Sequence, residues 1–450
     1  MATPNRQPAI GNRQLKRLVS ALLKWFSENA RDLPWRRTRD PYAVWVSEIM
    51  LQQTQVKTVI PYWERWLREL PGIQAVAKAS PDTIHKLWEG LGYYTRARNL
   101  QKAAKQIMEK HGGKFPRHFN DLLALPGVGR YTAGAICSIA FNQAMPILDG
   151  NVIRVLTRIF GISENPREKK TNARLWELAG DLVRNAAKYQ TTRSSRRKEA
   201  HYEIGNSRSL LASAATITGK CSALNQSLME LGALVCTPRN PQCHICPAKK
   251  LCIAFCENRV EALPNLGRRA TATARHFVAF IVERNGRFLV RQRPAGVVNA
   301  HLWEFPSVEV EAGILPAVEP GFQPGGKIAC SPKPTRIPRK IPGGRMPPSP
   351  AGRRPAATLL ARVAKNLGFE LLDAKPFCTV KHSITRYRIT LEAFYVRLKK
   401  SPPKAAGVSQ TPAQMDRLAF TAAHRKILHA LAATGRLHCV VRSSAFRRAA

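Results

Sequence analysis

Residues 40–56, DPYAVWVSEIMLQQTQV, place one carboxylate in the middle of an almost unbroken apolar run. Read as a helix, the stretch puts Trp45 and Leu51 three residues from Glu48, with Val44 and Gln52 about one turn to either side. A helix of this composition has to be a core element, and Glu48 is hard to solvate on it. An unpaired buried carboxylate destabilises a fold, and burial lifts its pKa toward the range where it holds a proton and acts as an acid. Two readings stand at this point. Glu48 is a general acid, or it is a structural carboxylate paired with Arg31, Arg36 or Arg37.

A chain of 450 residues exceeds one ordinary core, so two domains with linkers are expected. Lys and Arg outnumber Asp and Glu by 72 to 29, a formal charge of +43. That excess favours a polyanion, most often nucleic acid, because each neutralised phosphate releases counterions. No stretch approaches the roughly 20 consecutive apolar residues of a membrane span, and the basic start lacks the apolar core of a secretion signal.

Helical spacing covers residues 13–30 and then about 95–110, the latter ending at Gly112-Gly113. Residues 122–136, LLALPGVGRYTAGAI, read as a short helix, a tight turn and a second helix. Gly127 and Gly129 allow close backbone approach and leave amides free at a helix start, which suits a phosphate oxygen. Taken alone the stretch is a turn; among helices in a basic chain it reads as a DNA-binding helix-hairpin-helix. Residues 147–160, ILDGNVIRVLTRIF, put Asp149 at a helix entrance, either as a simple N-cap or as an anion whose pKa the amides and helix dipole depress. Glu48 pushed up and Asp149 pushed down would make an acid and anion pair.

Residues 191–222 lack a sustained period and read as a mobile insertion before a helix from about 224. The block Cys236-x6-Cys243-x2-Cys246-x5-Cys252 follows. Zinc sites usually pair two C-x2-C halves, and only one is present here; four closely spaced thiolates suit a [4Fe-4S] cluster better. Arg239, in the loop between the first two of these cysteines, is placed to touch a phosphate. Residues 259–274 read as a linker. Beyond it, two strand-like runs flank Asn285-Gly286, a hairpin signal. Residues 311–356 are rich in Pro, Gly and basic side chains and read as a disordered insertion. A helix near 357–367, strands near 376–397, a helix near 412–432 and a tail from 436 complete an α+β second domain spanning 275–435.

Residues 1–258 resemble the helix-hairpin-helix DNA glycosylases that carry an iron-sulfur cluster, specifically the adenine DNA glycosylases of the MutY type. The resemblance rests on PWR at 34–36, SEIMLQQTQV at 47–56, GLGYYTRARNL at 90–100, LPGVGRYTA at 125–133, LDGNVIRVLTR at 148–158 and the four-cysteine block. It implies an all-α glycosylase core with a [4Fe-4S] domain, followed by an α+β Nudix-like domain. It also implies hydrolysis of the N-glycosidic bond of adenine mispaired with 8-oxoguanine or guanine in double-stranded DNA. By resemblance Glu48 is the acid and Asp149 stabilises the sugar cation, with Tyr131 and Asn151 ordering the site. Gln53 and Tyr93 wedge into the duplex beside the flipped base, and Arg31, Leu51 and Thr54 line the pocket. A monomer acting on DNA, in the cytoplasm at the nucleoid of a bacterial host, is the expectation that goes with it.

Two details refine the resemblance. Relatives of the endonuclease III type, which also cut the strand, carry a Schiff-base Lys in the segment where this chain has Tyr131, so a monofunctional enzyme is expected. The segment ARVAKNLGF at 361–369 fits the register of a Nudix motif but has Arg362, Lys365 and Asn366 where Mg²⁺-binding glutamates belong, so the second domain recognises rather than hydrolyses. The family's lesion-reading Phe-Ser-His loop corresponds to Val380-Lys381-His382-Ser383, in which only His382 is retained. The alternatives are an endonuclease III-type lyase acting on damaged pyrimidines and a catalytically silent DNA-binding protein. The latter would call for replacement of Glu48 or Asp149, and both are present.

Overall fold

The computed structural model describes residues 11–188, 219–267, 271–311, 354–384 and 386–434, with the side chains of 354–359 left aside. The chain divides into two compact units, one comprising residues 1–87 and 95–269 and the other 88–94 and 270–450. The second unit thus takes in part of the 90–100 motif assigned to the first domain from sequence. Most of the 191–222 and 311–356 insertions and the tail lie outside the described residues.

The described residues of the first unit form helices joined by turns and loops, with no strand among them. Its helices are α1 Asn12–Asn29, α2 Pro41–Leu51, α3 Val56–Glu69, α4 Ile73–Lys78, α5 Pro81–Trp88, whose last residue groups with the second unit, α6 Thr95–His111, α7 Phe119–Leu123, α8 Arg130–Ile139, α9 Gly150–Ile159, α10 Lys169–Ala187, α11 Lys220–Leu234 and α12 Ile253–Cys256. Helix α11 begins four residues before the sequence-based boundary and claims the end of the expected insertion. One core holds the unit's cysteine side together, with Leu18, Leu22 and Phe26 of α1, Val152, Val155 and Leu156 of α9, Leu182 of α10 and Leu224, Leu228 and Leu231 of α11 buried in it.

Helix α2 starts where the chemistry dictates. Pro41 occupies its first turn, and the Asp40 carboxylate accepts from the amides of Tyr42 (3.1 Å) and Ala43 (3.3 Å). Every residue from Tyr42 to Met50 is buried, as expected of a helix with no polar face. Its far end is held by Arg96 on α6, whose Nη1 donates to the carbonyls of Ile49 (2.9 Å), Met50 (2.9 Å) and Gln52 (2.6 Å). The helix therefore stops at Leu51, and Gln53 sits beyond it in a left-handed turn at φ 56°, not on the polar end of the helix.

The second unit is a mixed sheet in the order β3-β2-β1-β6-β5, where β1 is Thr273–Arg284, β2 Arg287–Gln292, β3 Trp303–Glu304, β5 Leu371–Ile384 and β6 Tyr387–Leu398; β4 (Ser307–Val310) pairs with β1, and β7 (Val408–Gln410) with β2. Among the paired strands of the described residues, β1 and β6 run parallel and the other pairs antiparallel. The turn from β1 to β2 has Asn285 at φ 51° and Gly286 at φ 69°, the double left-handed geometry that an Asn-Gly hairpin needs. Two helices, α14 Pro412–Arg417 and α15 Ala422–Ala433, replace the single helix expected near 412–432. One sheet face packs on them through Met415, Ile427, Leu428 and Leu431, and the other on α13 (Arg354–Lys365) through Leu360, Val363 and Ala364. The expected linker ends early, since β1 already begins at Thr273. No described helix is long and apolar enough to cross a membrane.

Candidate active site

Glu48 is 5% exposed, near the end of α2. Of the proposed ion-pair partners, Arg37 binds Asp32, and Arg31 and Arg36 bind Glu230, so the structural reading of Glu48 as an arginine partner falls away. Its Oε2 instead accepts a 2.7 Å hydrogen bond from the hydroxyl of Tyr131, which also lies 3.3 Å from the Met229 sulfur. Burial pushes the Glu48 carboxyl up to about 7; the Tyr131 hydrogen bond acts against this, Asp149 adds to it, and Arg36 opposes it weakly. The Tyr131 phenol is itself raised, by burial first and then by the neighbouring carboxylates.

Asp149 caps α9. Its Oδ1 accepts from the Val152 amide at 2.7 Å and its Oδ2 from Asn151 Nδ2 at 3.0 Å. The sequence argument set this carboxylate below its usual range, and the structure corrects it: the Asp149 pKa is raised, because burial outweighs the hydrogen bonds from Val152 and Asn151 that favour the anion. The environments of Glu48 and Asp149 thus differ in hydrogen bonding rather than in the direction of their shifts. Asp149 carries the stronger anion-stabilising set, and Glu48 is the more deeply buried.

Asn151 also faces the cysteine block. Its Oδ1 accepts from Arg154 Nη2 at 2.8 Å, and Arg154 donates on to the carbonyls of Gly232 (2.7 Å) and Cys236 (2.7 Å). One turn later Arg158, 1% exposed, donates to the Cys236 sulfur (3.3 Å) and to the carbonyls of Thr237 (2.8 Å) and Leu263 (2.9 Å). Sequence reading missed both arginines, as it missed Arg96 and Glu230. The available signal was their helical spacing on α9, which places them on one face.

Cys236, Cys243, Cys246 and Cys252 line a single small cavity with Val155, Arg158 and Phe255. Burial and the mutual proximity of the sulfurs raise the thiols of Cys246, to about 12, and Cys252, to about 11. Among the described residues no three ligand side chains converge as a single metal ion requires. Four thiols lining one shared cavity are a donor set that fits an iron-sulfur group. Cys256 is exposed and absent from the cavity lining.

The hairpin has Gly127 at φ 77°, and a Cβ there would lie 2.6 Å from Asn99 Cβ, so only glycine fits. Gly129, the N-cap of α8, is extended and faces open space. Arg31 and Thr54 are half-buried, Thr54 accepting from Arg96 at 3.2 Å; Leu51 is half-buried, and Gln53 and Arg239 are exposed. Tyr93 is 44% exposed in a left-handed conformation at φ 47° and falls in the second unit. His382 lies in strand β5, not in a loop, with its Nδ1 buried and unpartnered.

Residues 46–180 match the HhH-GPD superfamily base excision DNA repair protein family. The chain is 36% identical over 291 residues to an adenine DNA glycosylase of Buchnera aphidicola subsp. Schizaphis graminum, covering 64% of this chain and 74% of the relative. This chain belongs to the adenine DNA glycosylase family. The adenine DNA glycosylase of Rattus norvegicus is 38% identical over 342 residues, 64% of this chain, and the chain spans only 60% of that relative's length. Among solved structures, a thermostable thymine-DNA glycosylase matches with a TM-score of 0.44 and 30% identity over 55% of this chain and 98% of its own. In this member of the family, Glu48, Asp149 and Tyr131 form one hydrogen-bonded and electrostatically coupled constellation carried by α2, α8 and the head of α9.

Proposed function

We propose that the chain removes adenine opposite 8-oxoguanine or guanine in duplex DNA by hydrolysing the N-glycosidic bond. The observation that carries this reading is Glu48, buried and hydrogen-bonded to Tyr131 beside Asp149, with a carboxyl pKa raised to about 7. As the bond breaks, its electron pair leaves with the adenine, which takes the Glu48 proton. Asp149, whose carboxylate accepts from Val152 and Asn151, stabilises the sugar cation, and water adds to the anomeric carbon. The water's proton restores Glu48. Reaching an atom inside a duplex demands that the adenine be flipped out, and Gln53 and Tyr93 are the side chains that fill the gap. Gly127, Gly129 and Arg239 hold backbone phosphates.

Cys236, Cys243, Cys246 and Cys252 would hold a [4Fe-4S] cluster, which would cross-link the 236–252 loop, while Arg154 and Arg158 tie that loop to α9. The second unit is read as a Nudix-like lesion reader. Arg362, Lys365 and Asn366 are all exposed at the end of α13 or just beyond it and cannot hold Mg²⁺, while His382 is its one retained recognition residue.

Incubation with an adenine:8-oxoguanine duplex followed by borohydride tests the assignment. Free adenine without a trapped protein–DNA adduct supports a monofunctional hydrolase; an adduct in good yield supports the lyase alternative, and DNA binding with no base release supports a silent binding protein. Equal amounts of iron and labile sulfide, lost in Cys243→Ser, would support the cluster.

A further inference from the structure

The connection from α5 to α6 carries Tyr93, and residues 88–94 group with the second unit rather than with the bodies of the helices on either side. Its shape is set locally. Gly90, Gly92 and Tyr93 lie in the left-handed region, at φ 106°, 71° and 47°. Trp88, Leu91 and Tyr94 are buried, while Tyr93 is exposed. The Trp88 indole donates to the Gly92 carbonyl (3.0 Å), and the Gly90 amide donates to the Tyr94 hydroxyl (3.3 Å). Three buried side chains and two internal hydrogen bonds thus present one exposed ring, in a conformation that non-glycine residues rarely adopt.

Glu89 ties this segment to residues more than 300 positions away in the chain. Its Oε1 accepts from the Phe420 amide at 2.9 Å, across 331 positions. That amide is available because the residues on either side of Phe420 pair with β3: the Trp303 amide donates to the Ala419 carbonyl (2.9 Å) and the Thr421 amide to the Trp303 carbonyl (3.0 Å). The intervening Phe420 amide then points the other way, toward Glu89. Arg425, on α15, adds a charge. Its Nη1 is buried, makes no hydrogen bond among the described residues, and lies 3.8 Å from the same Glu89 oxygen, while its Nη2 donates to Asp416 of α14 at 3.3 Å. Removing the Glu89 carboxylate would strand the Phe420 amide and leave the guanidinium facing no acceptor, so the tie is costly to break.

We propose that Glu89 is a positioning residue for the wedge, fastening the segment that presents Tyr93 to α14 and α15 so that the second unit's hold on 8-oxoguanine sets the Tyr93 ring for insertion. The proposal rests on the readings of Tyr93 as a wedge and of the second unit as a lesion reader. A guanine opposite the adenine gives that unit less to hold. The tie should therefore favour the 8-oxoguanine substrate, since coupling acts only through a difference in interaction between the two.

The test uses the full-length holoprotein and two readouts. One is the ratio of single-turnover adenine release from adenine:8-oxoguanine and adenine:guanine duplexes. The other is the fluorescence of a 2-aminopurine placed beside the 8-oxoguanine, which rises when the stack is opened and needs no base release. Glu89→Ala should lower the ratio by about tenfold, a usual size for coupling between two sites, and should diminish the fluorescence rise. Glu89→Gln, which still accepts from the Phe420 amide, should recover most of both. Combined with Tyr93→Ala, Glu89→Ala should add little further loss, as expected of two residues acting as one device. A Glu89→Ala protein that slows both duplexes equally with an unchanged fluorescence rise, or whose loss adds fully to that of Tyr93→Ala, overturns the proposal. Should Glu89→Ala not fold, an unchanged ratio in Arg425→Met does the same. If the wild type releases no adenine, the glycosylase reading fails, and the fluorescence of Glu89→Ala against wild type still decides the role of Glu89.

Discussion

The Tyr131 hydroxyl donates a 2.7 Å hydrogen bond to Oε2 of Glu48, a carboxyl 5% exposed on the most apolar helix of the first unit. The bond favours the anion, so Tyr131→Phe should raise the Glu48 pKa further and shift the alkaline limb of activity to higher pH. Loss of the contact should also slow the chemical step by roughly tenfold, the scale of one hydrogen bond to an ionisable group. Single-turnover rates across pH check both effects.

Glu48 also makes stability depend on pH. Its folded pKa, about 7, lies above the ordinary value of 4.5, so its contribution is fully present below the ordinary value and is lost as pH rises through 7. Glu48→Gln removes that penalty while still accepting from Tyr131. The variant should be about 2–3 kcal/mol more stable than wild type at pH 8 and nearly equal to it at pH 4, measured by urea denaturation at each pH.

Asp149 has two roles that substitution can separate. Asparagine caps helices as well as aspartate does, so Asp149→Asn should keep α9 intact and unfold within ~0.5 kcal/mol of wild type. It should nonetheless lose roughly 10²–10³-fold in adenine release, because the charge facing the sugar cation is gone. Equal loss of stability and activity would point to capping alone.

The hairpin glycines differ in what they tolerate. Gly127→Ala meets both a φ of 77° and the Asn99 side chain, and should lower stability by about 1–3 kcal/mol. Gly129→Ala meets nothing within 4 Å and should leave stability nearly unchanged while weakening binding to a nonspecific duplex. Thermal melts and fluorescence anisotropy distinguish the two.

The features legible in the sequence are those whose cause is local. The Asp149 cap, the Asn285-Gly286 turn, the glycine hairpin and the cysteine spacing each follow from a few adjacent residues. What escaped notice depends on partners far along the chain: Arg31 and Arg36 reach Glu230 across 199 and 194 positions, and Arg154 reaches Cys236 across 82. The sign of the Asp149 shift was misread for the same reason. Its amide donors are visible as an N-cap pattern, but its burial is created by distant helices. Strands β3, β4 and β7 span two to four residues, too short for an alternating pattern to register.

The central claim is that Glu48 delivers a proton to the departing adenine. Single-turnover adenine release from an adenine:8-oxoguanine duplex, followed from pH 5 to pH 9 for wild type and Glu48→Gln, tests it most directly. The account predicts that the wild-type rate falls as pH rises through about 7, and that Glu48→Gln is slower by at least roughly 10²-fold at every pH. A Glu48→Gln protein that keeps the wild-type rate and profile would contradict it.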